Sequence, residues 1–146
     1  MKMSRTVAYA VQATLQLAQA HAPHPVPCSQ LAADGSMPER FLLQILRNLV
    51  THGILTSTRG VDGGYRLDRP PEEISLLQVI EAIDGPMKSS IPVTDALSQS
   101  SHERLVVAFD EVTRTARQQL GSIKLSHLLM TPVGTSAEST DGAMKS

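Results

Sequence analysis

Residues 36–67 read SMPERFLLQILRNLVTHGILTSTRGVDGGYRL. In the first half of this stretch apolar residues recur every three or four positions, which is the period of an amphipathic helix. The pattern predicts a helix over 38–51, with Ser36 as its N-cap, Pro38 near its first position and Gly53 just past its end. We expect one face to be buried, with Phe41, Leu42, Ile45, Leu46 and Leu49. The face turned away carries Glu39, Arg40, Leu43, Gln44 and Arg47.

The second half of the stretch has the features of a β-hairpin. Residues 54–58 alternate apolar and small polar side chains, 60–64 supply glycine-rich turn chemistry, and 65–67 resume an extended pattern. Arg59 therefore stands at the start of a glycine-rich hairpin tip.

The segment before this stretch predicts two more helices. Residues 6–20 have a helical period, and either Ser4 or Thr6 is placed to cap that helix. Its apolar side carries Val7, Ala10, Val11, Leu17 and Ala18, and its opposite side carries Gln12, Gln16 and Gln19. The following HAPHPVP, residues 21–27, holds three prolines and is predicted to be a loop. A short helix over 28–34 is predicted to end at Gly35 in left-handed geometry, giving a helix-turn-helix pattern.

Downstream of the hairpin, RPPEEIS at residues 69–75 is a proline-stiffened connector. Ser75 and Gln78 form a candidate capping box for a helix through Asp84 that ends at Gly85 and Pro86. The order of elements is typical of a mainly α fold: a winged helix-turn-helix domain with a two-stranded β wing. We divide the chain into a DNA-binding domain over 1–86, a loop over 87–100, helices over 101–130 and a disordered tail over 131–146.

The long helix in 101–130 carries an apolar seam with steps of four and three, and Gly121 is expected to end or bend it before a short terminal helix near 125–130. Such a seam suits another helix, so we predict a dimerisation helix and a homodimer. Packing within its own subunit is the alternative. The seam consists of Leu105, Phe109, Val112, Ala116, Leu120 and Ile123.

Composition limits the possible classes of protein. With 146 residues, 41% of them hydrophobic, the chain can form one modest core and an extension. The formal net charge is -1, but residues 1–70 carry seven Lys and Arg against four Asp and Glu, a net charge of +3, and the remainder carries -4. The basic part is rich in arginine, which suits contacts to phosphate and guanine.

Other classes are disfavoured. No apolar run approaches the roughly 18 residues of a membrane span, and a single cysteine, Cys28, forms no intrachain disulfide, so we expect a cytoplasmic protein. The sequence has no nucleophile elbow, phosphate-binding loop or paired carboxylates, so we do not expect an enzyme. The five histidines have no spacing typical of a metal site.

Three strings together resemble the Rrf2 family of bacterial regulators, the group that includes IscR, NsrR and CymR. They are FLLQILRNL, GILTSTRGVDGGYRL and RPPEEISLLQVIEAIDGP, and the RGxxGGY wing tip is the most specific of these motifs. The resemblance covers residues 1–83 strongly and the long helix more loosely. It implies a dimer with the helix over 38–51 in the major groove of DNA and the wing in an adjacent minor groove.

The resemblance implies a set of DNA-binding residues. Arg40 is assigned to guanine or phosphate, Gln44 to adenine or phosphate, Arg47 to phosphate, and Glu39 to a cytosine amino group if it reaches a base. Leu43 departs from the family, because it stands where some relatives carry a polar base-reading residue, and it is expected to touch a thymine methyl group instead. Arg59 is expected to enter the minor groove. The complete predicted set is Arg5, Ser36, Glu39, Arg40, Leu43, Gln44, Arg47, Arg59, Gly60, Gly63 and Gly64.

Two departures from the family pattern change what the resemblance implies. Val61 and Asp62 occupy a wing tip that is usually Arg-Gly-Pro-Gly-Gly-Gly, and an acid beside phosphates weakens or redirects that contact. Several members hold an iron–sulfur cluster on three cysteines before the long helix, whereas residues 87–101 contain none here. The sequence therefore predicts a member without a cluster or other cofactor.

Alternative functions remain at this stage. Cys28 near a helix N-terminus is either a redox switch or a small buried hydrophobe. A winged helix also serves as a protein interaction module. The favoured prediction is a homodimeric repressor that binds double-stranded DNA at a palindromic operator; no effector is predicted.

Overall fold

The first helix, α1 Arg5–Ala20, begins where Ser4 Oγ accepts a hydrogen bond from Val7 N at 3.2 Å, so Ser4 is its N-cap. The structure is a computed structural model, and it describes residues 2–20 and 24–129. In the described ranges the elements that follow are α2 Cys28–Gly35, α3 Glu39–Thr51, β1 Leu55–Thr58, β2 Gly64–Leu67, a 3-10 turn Pro71–Glu73, α4 Leu76–Asp84, α5 Gln99–Ser122 and α6 Leu125–Leu128. The predicted mainly helical fold with a two-stranded wing is confirmed.

Helix α3 provides the centre of the core. Its buried side chains are Leu42, Ile45, Leu46 and Leu49, which pack against residues of α1 and α4. Phe41 was predicted to join this buried stripe, and that prediction is wrong: its side chain is 45% exposed. Its ring instead packs against the Tyr9 ring of α1 in a T-shaped arrangement, with centroids 6.0 Å apart. Phe41 lies at the margin of the helical stripe, where the core no longer covers it.

The turn between α2 and α3 differs from the prediction. Gly35 is the last residue of α2, and the left-handed residue is Ser36, with φ 53° and ψ 47°. Ser36 therefore ends α2 and does not cap α3, whose N-cap is Pro38 without a side-chain hydrogen bond. Glycine at position 35 instead makes room for side-chain ends: an added Cβ would lie 2.5 Å from Gln12 Nε2, so that side chain would have to shift.

Two glutamines of α1 hold α2 in place. Gln12 Nε2 donates to Gly35 O at 2.8 Å, and Gln16 Nε2 donates to Leu31 O at 3.3 Å. The sequence placed these glutamines on the side away from the core, together with Gln19, which is exposed. For Gln12 and Gln16 this was wrong, because both are partly buried and their amides donate to backbone carbonyls of α2. The Gly35 carbonyl is one that the end of α2 leaves without a partner in its own helix.

The wing is attached to the rest of the domain by a third extended segment. Leu55 to Thr58 pair antiparallel with Leu67 to Gly64. On the other side of β2, Val26 N donates to Tyr65 O at 2.9 Å and Tyr65 N donates to Val26 O at 2.8 Å. The residues just before α2 thus hold the hairpin, which the proline-rich sequence did not indicate.

Close packing explains two of the wing glycines. A Cβ on Gly64 would lie 2.4 Å from the carbonyl carbon of Val26, and a Cβ on Gly63 would lie 2.2 Å from Thr58 O. Gly60, with φ 110°, has open space around it. Positions 63 and 64 therefore require glycine for the hairpin itself, whatever the wing binds.

Helix α4 is connected to the end of the chain's long helix. The predicted capping box is confirmed: Ser75 Oγ accepts from Gln78 N at 3.1 Å and Gln78 Oε1 accepts from Ser75 N at 2.8 Å. Gly85, with φ 82°, follows the helix as predicted. Leu76 N donates to Ile123 O at 2.7 Å and Leu125 N to Ile74 O at 2.9 Å, so the end of α5 and the start of α6 are fixed to α4.

The two halves of α5 have different surroundings. Its N-cap is Ser98, so it begins at Gln99, slightly earlier than predicted, and it ends one residue after Gly121. Ala116, Leu120 and Ile123 are partly buried against their own subunit, which for these three supports the alternative of internal packing. Leu105, Phe109 and Val112 are exposed.

The predicted tail over 131–146 lies outside the described residues, and the division into functional domains stays a prediction.

In the described part of the chain, no helix is both long and apolar enough to cross a membrane.

We predict opposite effects for two glycine-to-alanine changes. Gly64→Ala should lower the free energy of unfolding by about 2 kcal/mol or more, because the new Cβ meets backbone of Val26. Gly121→Ala should raise it by up to about 1 kcal/mol, because a Cβ there meets only Leu77 Cδ2 at 3.7 Å and alanine favours a helix. Urea denaturation monitored by circular dichroism measures the free energy of unfolding of both variants. Equal stabilities of the two variants would contradict the packing described here.

Candidate nucleic-acid interface

The exposed face of α3 is a continuous polar stripe. Arg40, Gln44, Arg47 and Thr51 follow one another at steps of three and four, opposite the buried leucines and isoleucine, and all four are exposed. Glu39 lies exposed in the first turn, and Leu43 is only partly buried. The structure therefore brings the five predicted residues of α3 onto the solvent side of one helix.

The arginines of this surface are available for binding. In residues 2–20 and 24–129, the carboxylates that pair with Lys or Arg within 4.0 Å are those of Glu111 and Glu81, both with partners on α5. The guanidinium groups of Arg40, Arg47 and Arg59 thus have no carboxylate partner among the described residues. A charged donor without an internal partner is the group that phosphate or a guanine edge can engage.

Gln44 has a neighbour that the sequence prediction missed. Gln44 Nε2 lies 3.5 Å from Asn48 Oδ1, one turn further along α3, and Asn48 is partly buried. The contact is long, so it orients the Gln44 amide without fixing it strongly. The sequence alone could have indicated this contact, because Gln44 and Asn48 are four residues apart on a predicted helix and such residues are neighbours.

The wing tip presents both signs of charge to solvent. Arg59 and Asp62 are exposed, and Val61 between them is fully exposed. Gly60 has open space on its Cα, so its backbone is accessible. Gly63 and Gly64 were predicted to let phosphates come close to the backbone. In the structure, Gly63 instead packs closely against Thr58 and Gly64 against Val26.

Arg5 and Ser36 are exposed at the edges of this surface. Arg5 is the first residue of α1, one turn before Tyr9, whose ring contacts Phe41 at the start of α3. Ser36 lies in the turn before α3. The contact of Tyr9 with Phe41 therefore links the beginning of α1 to the beginning of α3.

Cys28 has the surroundings of an unreactive thiol. Its Sγ lies 3.7 Å from Glu39 O and it is partly buried. Burial raises the pKa of the Cys28 thiol, and the Glu39 carboxylate raises it further. Because the thiolate is the reactive form, this environment opposes the redox switch considered from the sequence.

Comparison with known proteins places these features in a family context. A family model named Rrf2, described as an iron-dependent transcriptional regulator, matches residues 3–131. A protein of Mycobacterium tuberculosis named as an HTH-type transcriptional regulator is 38% identical over 123 residues, which are 84% of this chain and 75% of that protein.

Two solved structures are similar over nearly the whole fold. CymR of B. subtilis, described as the global cysteine regulator, has a TM-score of 0.69 at 25% identity and covers 88% of this chain and 95% of its own. IscR of T. potens has a TM-score of 0.67 at 27% identity and covers 93% of this chain and 96% of its own. Both show the winged fold.

The iron in the family description does not fit the donor set present here. The chain's one cysteine lies on α2, and residues 85–98, which join α4 to α5, contain neither cysteine nor histidine. In the part of the chain that the structure describes, no three His, Cys, Asp or Glu side chains are grouped so as to hold a metal ion. Iron–sulfur clusters are held mainly by cysteine thiolates, so these residues do not match that group.

We predict that Glu39→Gln makes Cys28 more reactive. Removing the carboxylate lowers the raised pKa of the thiol, so at pH 7 to 8 the thiolate fraction and the rate of reaction with an aromatic disulfide reagent should rise. At a pH above both thiol pKa values the rates should converge. Glu72→Gln, which removes an exposed acid elsewhere, is the control, and equal rates for both variants at neutral pH would rule out the Glu39 effect.

Proposed function

The chain belongs to the Rrf2 family of transcriptional regulators, and on this basis we propose that it is a homodimer that represses transcription by occupying a palindromic DNA site. The observation that carries the proposal is the exposed polar stripe of α3, next to a wing that begins with the exposed Arg59. Within residues 2–20 and 24–129, the arginines of this surface have no carboxylate partner. No step of the proposed mechanism depends on iron.

We assign α3 to the major groove. Arg40 and Gln44 lie on the centre of its exposed face, where guanidinium and amide groups can read guanine and adenine edges. Arg47, one turn further along, is assigned to phosphate. Glu39 in the first turn suits a cytosine amino group, and the half-exposed Leu43 suits a thymine methyl group.

The wing and the edges of the surface position α3 on the duplex. Arg59 is assigned to the minor groove, where a narrow, negative groove favours arginine. The open backbone at Gly60 suits a phosphate contact. Gly63 and Gly64 have a structural role instead, because Gly63 N donates to Gly60 O at 3.0 Å and Gly64 packs against Val26. Arg5 and Ser36 are assigned to phosphates that flank the major groove.

A palindromic site requires two copies of this surface. Three apolar side chains on the first half of α5, Leu105, Phe109 and Val112, are 36%, 49% and 65% exposed. Exposed apolar side chains in one stripe on a helix indicate a surface that another helix covers. A two-fold axis through α5 then presents two α3 helices to successive major grooves of one duplex.

The relatives are named as regulators of transcription rather than as enzymes. The rival to DNA binding is therefore a module that binds other proteins. The dependence of binding on salt concentration distinguishes DNA binding from protein binding. A DNA-binding surface that neutralises phosphates loses affinity steeply as salt rises, whereas a module that binds only proteins does not bind bulk duplex at all.

We predict that Arg40→Ala and Arg59→Ala each weaken binding to the DNA site by about 1 to 3 kcal/mol, because each removes an exposed guanidinium from the surface. The site comes from selection of bound duplexes from a random pool, which should yield a palindrome, and affinity is measured by fluorescence anisotropy. Arg104→Ala, an exposed arginine on α5, is the control. Unchanged affinity in both test variants would disprove this docking mode.

Asp62→Asn should have the opposite effect. A carboxylate about 5 Å from a phosphate costs roughly 0.8 kcal/mol in water, so removing it should tighten binding about two- to fivefold per wing. The gain should shrink as salt is raised, because the repulsion is screened. Asp95→Asn, in the exposed segment before α5, is the control. If Asp62→Asn binds no more tightly at low salt, the wing tip does not lie near the DNA backbone.

A further inference from the structure

The tip of the wing is a two-residue turn with an apolar residue at its end. Gly63 N donates to Gly60 O at 3.0 Å, which closes a turn with Val61 and Asp62 at its two central positions. These two residues are therefore the ones that project farthest from the paired strands. The Val61 side chain is fully exposed to solvent.

Valine is an unusual residue for this position. Gly, Pro, Asn, Asp and Ser dominate turns, and Asp62 follows that rule. Valine, branched at Cβ, is instead typical of strands and buried surfaces. Because Val61 is fully exposed, it gains nothing from the hydrophobic effect within the described part of the chain. Its place at the turn is explained if the tip buries it against a partner.

The tip is slender and has free space beside it. Residues 60–64 include three glycines, so within them only Val61 and Asp62 carry side chains. A cavity of about 400 Å³ separates the turn from the segment before α2, and it is lined by His24, Pro25, Pro27, Val61, Asp62 and Gly63. The minor groove of DNA is about 6 Å wide, so it admits only a tip with few side chains and with room beside it for a strand of the duplex.

The chemistry of the minor groove favours Val61 over Asp62 as the residue that enters it. The floor of the groove offers only acceptors at an A·T pair, whereas a G·C pair adds the amino group of guanine. Phosphates repel the Asp62 carboxylate, and an A·T floor gives it no donor. The guanine amino group projects from the floor, so valine methyl groups approach an A·T pair more closely. At a G·C pair they would also cover a donor that valine cannot satisfy.

From these observations, and resting on the proposed DNA-binding function, we propose that Val61 is a specificity-determining residue. Its side chain contacts the floor of the minor groove beside Arg59 and makes the wing select A·T pairs, because a guanine amino group prevents the contact. Arg59 favours a narrow, negative groove through its charge. Val61 adds discrimination that depends on one amino group of the base, separately from the bases that α3 contacts in the major groove.

The first test changes the DNA one base at a time. In the duplex selected from the random pool, 2,6-diaminopurine replaces each adenine in turn, which adds the minor-groove amino group and keeps the major-groove edge of adenine. At the pairs under the wing, wild-type affinity measured by fluorescence anisotropy should fall roughly fivefold or more per pair. A G·C pair at the same position should bind as weakly, and inosine in place of that guanine, which lacks the amino group, should restore the affinity. If neither base analogue changes the affinity at any position, the proposal is overturned.

The second test assigns this discrimination to Val61. Val61→Thr keeps nearly the shape of the side chain but adds a hydroxyl that accepts from the amino group, so the loss caused by diaminopurine should shrink to about twofold or less. Val61→Ile, which stays apolar, should keep the wild-type loss. The control is Val93→Thr, the same change at a residue that is 83% exposed and lies before α5. An equal loss in Val61→Thr and the wild type would overturn the proposal, as would tighter binding to diaminopurine, which would indicate contact by Asp62.

The wild-type protein separates this proposal from the proposed function. A wild-type chain that binds no duplex at low salt would disprove DNA binding itself, and the role of Val61 with it. A wild-type chain that binds its selected site tightly, but shows no loss with diaminopurine or the same loss in Val61→Thr, would disprove only the role of Val61 and leave the proposed function standing.

Discussion

Burial of one face of α3 is the constraint on which the rest of the structure depends. Leu42, Ile45, Leu46 and Leu49 leave water completely, and burial of each contributes about 1.5 to 3 kcal/mol. Because these residues occupy one side of the helix, the rotation of α3 about its own axis is fixed. Arg40 and Arg47 must then face solvent, so the same packing that stabilises the domain also orients its candidate binding surface.

A second set of contacts fixes the wing relative to that surface. The wing contacts the segment before α2 through Val26 and Tyr65, while Gln12 and Gln16 hold α2 against α1. The hairpin is therefore connected to the helix-turn-helix by backbone hydrogen bonds as well as by the short link after α3. A wing held in this way can place Arg59 at a constant distance from α3, as contact with two neighbouring grooves requires.

Much of this arrangement follows from the sequence, and the exceptions have physical causes. Helical periods, the Ser75 and Gln78 capping box and the glycine-rich tip are local signals, and local signals predicted these elements. The sequence misassigned Gly35 because a glycine at a helix end suggests left-handed geometry, whereas here it makes room for Gln12. It also missed Val26, Asn48 and the role of the α1 glutamines. Most of these contacts join residues that are far apart in the sequence and meet only in the folded chain. Asn48 is the exception, because its position four residues after Gln44 on the same helix could have been read from the sequence.

The attachment of α5 determines what a dimer of this chain can do. Its C-terminal half is fixed to α4 by the Arg117 and Glu81 pair, and Glu81 Oε2 also accepts a hydrogen bond from Met87 N at 2.7 Å. One carboxylate thus ties together α4, α5 and the start of the segment between them. In the proposed homodimer, this attachment helps to set the distance between the two α3 helices, which must be about 34 Å for successive major grooves.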